Sequence, residues 1–242
     1  MSVLTLRLAG PLQAWGATAR FTRRTTESAP TKSGIIGLLA AAQGIDRSDD
    51  ATLAPLSALR FGVRIDQPGT RVRDFQTAHH RLTGKSMPLS ERFYLSDAVF
   101  VAALEGDNGL LGELHAALQA PVYPPYLGRR SCPPSRPVEL NLHDDAVLHQ
   151  ALLDEPWQAA TWYQKARRKE PVVSLAVLCE AGPGEHETDL WRDQPVSFTA
   201  EHRRHDLRTV VTTTVEVPNP QATPTRAVPA HDPFAALEEE SA

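Results

Sequence analysis

Gly128, Arg129, Arg130 and Ser131, set between Tyr126 and Cys132, form the run of side chains with the most chemistry to offer. Two guanidiniums and a hydroxyl suit phosphate oxygens, and a glycine lets the backbone come close to a ligand. Tyr123 and Tyr126 add flat faces on which a base can stack. The run lies inside Pro121–Pro137, a stretch with six prolines and three arginines. Proline fixes φ and removes an N–H donor, which predicts a stiff loop rather than a helix or a central strand. A proline-rich crossing loop with solvated arginines is the alternative reading of the same residues.

Three further groups carry positive charge near possible ligand sites. Arg20, Arg23, Arg24 and Lys32 fall close together with one acid, Glu27, among them. Pro30, Thr31, Lys32 and Ser33 predict a helix start with Thr31 or Ser33 as the cap. Free N–H groups and a partial positive charge at that end, joined by Lys32, would suit a phosphate; a surface lysine beside a cap is the plainer alternative. The third group lies between Gln67 and Arg92, where Arg71, Arg73, His79, His80, Arg81 and Lys85 accompany Gly69, Gly84 and Pro88. No third ligand stands at metal-binding spacing from His79 and His80, so solvated histidines are expected there.

Several enzyme classes lack their signatures. There is no P-loop, no GxGxxG opening a helix, no HExxH and no GxSxG. A metal-independent ribonuclease needs only a base, an acid and a cation near a 2′-hydroxyl, and His79, His80, Lys85, Tyr94 and His205 are of the right types. Such common residues say little, and binding is the favoured expectation. No metal or cofactor is called for.

These residues hang on a regular pattern of elements. Leu4, Leu6 and Leu8 alternate with polar neighbours as in a half-buried strand. Ile35, Leu38, Leu39 and Ala42 mark one face of a helix that Gly44 should stop. Leu59, Phe61, Val63 and Ile65 alternate again. The stretch from Gln67 to Arg92 is too long for an ordinary loop, which predicts an extended protrusion or a disordered insertion. A strand is expected over Leu95–Leu104. A helix capped by Asn108 follows, with Leu110, Leu111, Leu114, Ala117 and Leu118 on its apolar face. Val138, Leu140 and Leu142 make the last strand. The order βαββαβ is that of a ferredoxin-like or RNA-recognition sheet, and the fold class is α+β. Such sheets often present a face or a loop cluster to single-stranded RNA. Three regions are expected: 1–142 as this domain with 67–92 as its insertion, 143–217 as a smaller β-rich part, and 218–242 as a disordered acidic tail. Within the second, His202–Arg208 reads as a turn and Lys165–Lys169 as a short basic run.

With 242 residues, 41% of them hydrophobic, the chain can bury a sizeable core. Two cysteines outside any CxxC, no long apolar run and no signal-peptide pattern predict a cytoplasmic protein without a disulfide framework. The net charge of −4 hides an asymmetry. Residues 1–142 hold 16 basic and 12 acidic side chains, and residues 143–242 hold 9 and 17. A polyanion would meet the first part.

The segments LRLAGPLQAWG, PTKSGIIGLL, RDFQT, RFYLSDAVF and PPYLGRRSCPP, in this order and with fitting gaps, resemble the CasD family of type I-E CRISPR Cascade subunits, a branch of the repeat-associated RAMP proteins. The resemblance covers roughly the first 140 residues and is loose beyond them. It implies a ferredoxin-like RAMP domain with a thumb-like insertion, matching 67–92. It implies a non-catalytic subunit that holds the 5′ handle of the CRISPR RNA beside an adjacent backbone subunit and the large subunit, with target DNA nearby, and no membrane. Lys32, Ser33, Arg92, Tyr94, Gly128, Arg129, Arg130 and Ser131 are the handle-contacting candidates it implies. Arg20, Arg23, Arg24, His79, Lys85 and Tyr126 join them as RNA-binding candidates from their charge or stacking surface. One branch of the same group implies the rival reading, a metal-independent endoribonuclease that cuts the repeat.

Overall fold

The computed structural model describes residues 1–16, 23–182, 184, 189–199 and 201–223. Arg20, and the part of the expected acidic tail beyond residue 223, lie outside the described residues. The chain opens with β1 (Ser2–Ala9), followed by two short pieces, β2 (Leu12–Gln13) and β3 (Arg23–Arg24). Helices α1 (Lys32–Gln43) and α2 (Asp50–Ser57) precede β4 (Arg60–Gln67), β5 (Thr70–Gln76), β6 (Ser90–Ser96) and β7 (Val99–Gly106). Then come α3 (Asn108–Gln119), β8 (Glu139–His143), α4 (Leu148–Asp154), α5 (Thr161–Ala166), β9 (Val172–Glu180), β10 (Asp189–Ser197) and β11 (Arg204–Pro218).

Seven strands form one antiparallel sheet in the order β10-β11-β9-β4-β7-β1-β8. Strands β9 to β11, from the part of the chain beyond residue 143, therefore extend the same sheet through the pairing of β9 with β4. Both sheet faces are covered. Leu4, Leu6, Leu8 and Phe100 pack with Ile35, Leu39, Leu111 and Leu114 of α1 and α3. Val3, Val101 and Ala103 pack on the other face with Leu148, Ala151, Leu152 and Trp157. That double burial explains why β7 is apolar from Val99 to Leu104, and why Thr5 of the alternating β1 is buried as well.

Helix α1 begins and ends on the expected residues. The Thr31 hydroxyl accepts from the Gly34 amide at 3.3 Å, and Gly44 closes the helix at φ 77°. Helix α3 starts one residue earlier than expected: Asp107, not Asn108, is its cap, accepting from the Leu110 amide at 3.0 Å. Helix α2, capped by Asp49, has no counterpart in the sequence expectations because Pro55 lies inside it and masks its periodicity.

The expected single strand over Leu95–Leu104 is two strands in two sheets. Asp97 adopts φ 56° between β6 and β7, and Gln67 Nε2 holds its carbonyl at 2.5 Å. Beneath this corner Gly69 sits at φ 70°, and a Cβ there would come within 2.4 Å of the Ser96 carbonyl. The bend thus depends on a glycine opposite a left-handed aspartate. The stretch expected as a turn, His202–Arg208, is mostly strand, since β11 starts at Arg204 and pairs with β10 from there. Its polar residues misled because this portion of β11 faces the edge of the sheet, where half-exposed strands tolerate charge.

Residues 70–96 form a hairpin in which β5 and β6 pair from Thr70↔Ser96 to Gln76↔Ser90. Its tip is closed by the His79↔Ser86 bridge and by Met87 N–H to the Ala78 carbonyl at 2.7 Å. The other edge of β6 takes β2 and β3 in succession, making a small second sheet. The register places Ala9, Gln67, Val99, Glu139, Val172 and Pro218 at one end of the large sheet. The small sheet, loop 120–138 and segment 155–171 all spring from that end. Among the described residues no helix is long and apolar enough to cross a membrane.

Candidate nucleic-acid interface

An open cleft of about 390 Å³ lies where the small sheet meets loop 120–138. Its walls are Arg24, Arg47, Arg92, Tyr126, Gly128, Arg129, Arg130 and Ser131. Among the described residues five guanidiniums and no carboxylate line it, so the cleft has the field of an anion site.

The loop is shaped by its own apolar anchors. Leu127 and Cys132, both fully buried, bracket the basic run, and the Leu127 N–H bonds the Cys132 carbonyl at 2.7 Å. The Cys132 N–H closes the turn onto the Arg129 carbonyl at 2.8 Å. Burial pushes the Cys132 thiol up, as fits a packing role. Gly128 adopts φ 81°, and a Cβ there would lie 1.8 Å from the Ala14 carbonyl. The close approach that the glycine permits is therefore to the chain's own backbone, next to the Ala14 N–H bond to Leu127 at 3.1 Å.

Arg129 and Arg130 are adjacent but differ in role. The Arg129 guanidinium donates to the carbonyls of Phe93 at 3.0 Å, Arg24 at 2.9 Å and Thr25 at 3.2 Å. It also lies 4.7 Å from the centre of the Tyr94 ring. It clamps β3, β6 and the loop together, and since these partners are carbonyls, no acid among the described residues neutralises its charge. Arg130 is exposed and pairs with no acid among the described residues. Arg92 is half-buried, and its Nε is buried without a hydrogen-bond partner among the described residues.

Tyr94 is buried beneath this cluster. Burial is the largest single influence on its phenol and raises it, but Ser131, Arg129 and Arg92 together outweigh burial and hold the hydroxyl below the ordinary tyrosine value. Phe93, next along β6, has the guanidiniums of Arg23 at 5.4 Å and Arg71 at 5.3 Å from its ring centre. Arg23 also lies 3.8 Å from Glu91.

Other expected residues are elsewhere. Lys32 is 2% exposed, and its ammonium meets the Glu180 carboxylate at 2.7 Å. The α1 N-terminus receives the Asp193 carboxylate, which accepts the Lys32 N–H at 2.7 Å and the Arg208 guanidinium at 2.6 and 3.0 Å. The anion expected at this helix end is thus supplied by the chain itself. Burial holds the Lys32 ammonium below its usual value, with Glu180 opposing. Ser33 is buried beside it. His79 and Lys85 are exposed at the hairpin tip, where His79 Nδ1 and the Gly84 carbonyl are 3.2 Å apart. His205 belongs to β11, so the titratable groups named for ribonuclease chemistry are spread over three elements. Arg47 is the wall residue that sequence reasoning missed. It follows α1 among Asp46, Asp49 and Asp50, where a lone arginine carries no signal.

The family described as CRISPR-associated protein Cas5 matches residues 3–211 of the chain. The CRISPR system Cascade subunit CasD of Escherichia coli (strain K12) is 38% identical over 213 residues, which is 81% of this chain and 89% of that protein. A crystal structure of a Cas protein, 38% identical, superposes with TM-score 0.68 over 91% of this chain and 97% of its own. A chain of a CRISPR RNA-guided surveillance complex, 31% identical, superposes with TM-score 0.72 over 93% of this chain and 95% of its own. The similarity reaches well beyond the first 140 residues and takes in β9 to β11, which complete the sheet. The chain belongs to the Cas5 family of CRISPR-associated proteins.

Proposed function

We propose that the chain is a non-catalytic, RNA-binding subunit of a Cascade-type CRISPR surveillance complex, in which its arginine cleft holds the 5′ handle of the CRISPR RNA. The observation that carries this is the cleft itself, walled by five arginines and, among the described residues, by no acid. Phosphates meet Arg24, Arg92 and Arg130, and a splayed base rests on Tyr126. The order of β1, α1, β4, β7, α3 and β8, with its strands adjacent as β4-β7-β1-β8, supports a ferredoxin-like core for residues 1–142. In the same reading the β5–β6 hairpin is the thumb. Its exposed Phe75, Leu82, Met87 and Leu89 face the neighbouring backbone subunit. The large subunit and target DNA lie close by in the assembled cytoplasmic particle.

The test is a filter-binding titration with handle RNA at fixed salt. Arg130→Ala weakens binding about tenfold, the size expected for one well-placed charged contact, while the melting temperature stays unchanged. Unaltered affinity would reject the cleft as the handle site. A second reading, a metal-independent endoribonuclease cutting repeat RNA, draws on the Tyr94 phenol and its three hydrogen-bonding neighbours. Site-specific cleavage of repeat RNA in EDTA, abolished by Tyr94→Phe, would establish it in place of the binding-only role.

A further inference from the structure

The short basic run that ends α5 has no part in the cleft. Lys165, Arg168 and Lys169 are exposed, and no carboxylate among the described residues pairs with them. Arg167 is different: Glu170 holds it at 3.1 and 2.6 Å, and it lies 5.7 Å from the Trp157 ring centre. Just ahead, Trp162 is 60% exposed, whereas Trp15 and Trp157 are buried. An exposed indole within seven residues of three exposed cations that meet no carboxylate among the described residues combines a stacking face with charge in one short segment.

The surface is held in place. The Asn219 side chain, 5% exposed, donates to the carbonyls of Gln164 at 3.2 Å and Arg167 at 3.0 Å. The Asn219 N–H reaches the Pro171 carbonyl at 2.9 Å, and the Thr223 N–H the Arg168 carbonyl at 2.8 Å. Tyr163 meets Trp162 edge to face at 5.6 Å and Trp157 at 6.0 Å, so the exposed ring stands on a buried one. Ligand contacts made here would cost little ordering of the backbone.

Its position is telling. Segment 155–171 leaves the same end of the large sheet as the small sheet and loop 120–138. Gln67, 2% exposed, ties them directly: its Oε1 accepts the Ala160 N–H that opens α5 at 3.1 Å, and its Nε2 donates to Asp97 at the root of the β5–β6 hairpin. The hairpin carries Arg92 into the cleft.

We propose that Trp162, Lys165, Arg168 and Lys169 form a second binding site for single-stranded nucleic acid, with a base stacked on the indole and phosphates on the three cations. The inference rests on the cleft reading, to which it adds a separate contact on the same end of the sheet. Stacking tolerates any base, and the cations meet only phosphates, so the site is indifferent to sequence.

The test uses the full-length protein with labelled oligouridylate and, in a parallel arm, oligodeoxythymidylate, so that RNA and DNA strands are told apart. Trp162→Ala is expected to weaken binding about tenfold, from the loss of one base–aromatic stack. Trp162→Phe, which keeps a ring, retains affinity. Joint Lys165→Ala, Arg168→Ala and Lys169→Ala substitution lowers the slope of log affinity against log salt by about 2, since each phosphate neutralised on a single strand contributes about 0.7. Wild-type affinity and slope in both variants, with binding weakened by Arg130→Ala, overturns this site and leaves the cleft standing. Weakened binding in the Trp162 and basic-run variants with none for Arg130→Ala supports this site and overturns the cleft. No change in any variant overturns both. In a further arm with labelled poly-glutamate, loss of that binding alone in the Trp162 and basic-run variants, with oligonucleotide binding intact, assigns an acidic protein segment to the surface and also overturns the proposal.

Discussion

Replacing Arg129 and Arg130 one at a time separates architecture from ligand binding. Arg129→Ala removes three hydrogen bonds to the carbonyls of Phe93, Arg24 and Thr25 and the stack on Tyr94. Hydrogen bonds from a charged donor contribute about 1.5–3 kcal/mol each, but these carbonyls border an open cleft where water replaces much of what is lost. A net loss of about 2–3 kcal/mol follows, including about 0.5–1 kcal/mol for the cation–π contact. For a chain of this size that lowers the melting temperature by about 5–10 °C. It also loosens β3, whose ladder partners among the described residues are Glu91 and Arg92. Arg130→Ala touches no internal partner among the described residues, so its stability stays within about 0.5 kcal/mol of wild type. The assay is thermal melting beside RNA titration over a range of salt. Arg130→Ala should flatten the salt slope by about 0.7 with unchanged melting, one phosphate contact fewer. Arg129→Lys should restore charge without the fork, recovering the salt slope but not the melting temperature. If Arg129→Ala melts like wild type, the clamp is not holding the cleft and the division of labour between the two arginines is wrong.

Two other perturbations probe the frame around the cleft. Gly128→Ala places a methyl against the Ala14 carbonyl in a backbone conformation that disfavours side chains, so it should destabilise the loop by about 2 kcal/mol or more and reduce RNA affinity together with the melting temperature; wild-type behaviour in both would show that the loop relaxes freely. Asp49, the α2 cap, accepts from the Thr52 hydroxyl and N–H, which hold its carboxyl below the ordinary value of 3.8. A depressed acid adds stability that is complete above the ordinary value and is lost as pH falls through the lowered one, so the protection of the Thr52 and Leu53 amides relative to an unfolded chain at the same pH should fall on acidification, an effect absent in Asp49→Ala.

The sequence was legible where local chemistry and tertiary context agree. Thr31 and Gly44 bound α1 as capping chemistry requires, and Ile35, Leu38, Leu39 and Ala42 are all buried along one face. Arg92, Arg129, Arg130 and Ser131 share one cleft although 36 residues separate the first two, because β6 and loop 120–138 leave the same end of the sheet. Lys32 shows where local reasoning stops. A cation on a helix N-terminus is the pattern of an anion site in either case; nothing near it in sequence says that Asp193, Glu180 and Arg208 arrive from β9, β10 and β11 to fill the position. Arg129 shows the same limit from the other side, since a guanidinium that serves carbonyls and one that serves phosphates have the same letter. Asp97 hid a strand break because aspartate rarely takes a left-handed conformation, and only the glycine packed against it at position 69 makes room for the corner.

A chain with net charge −4 can still attract a polyanion if its charges are sorted in space rather than in sequence. Here the sorting is visible in how each acid is used. Glu180 and Asp193 are spent inside the sheet on Lys32 and Arg208, and Asp66 on the fully buried Arg64 at 2.7 Å. Glu105 faces Arg60 at 2.9 Å at the opposite end of β4 from Gln67. Glu91 lies 3.8 and 3.4 Å from Arg23 and Arg73, and it is the acid of the small sheet that meets its arginines. Among the described residues the cleft wall receives no carboxylate, and field lines from its five guanidiniums have low-dielectric protein behind them and water in front. Screening within about 10 Å at ordinary salt means that distant acids scarcely reach a strand lying in the cleft. The quantity that governs binding is therefore the local arginine arrangement, and a variant that adds one carboxylate at Ser131 should weaken RNA binding more than one that adds the same charge anywhere on the exposed face of α2.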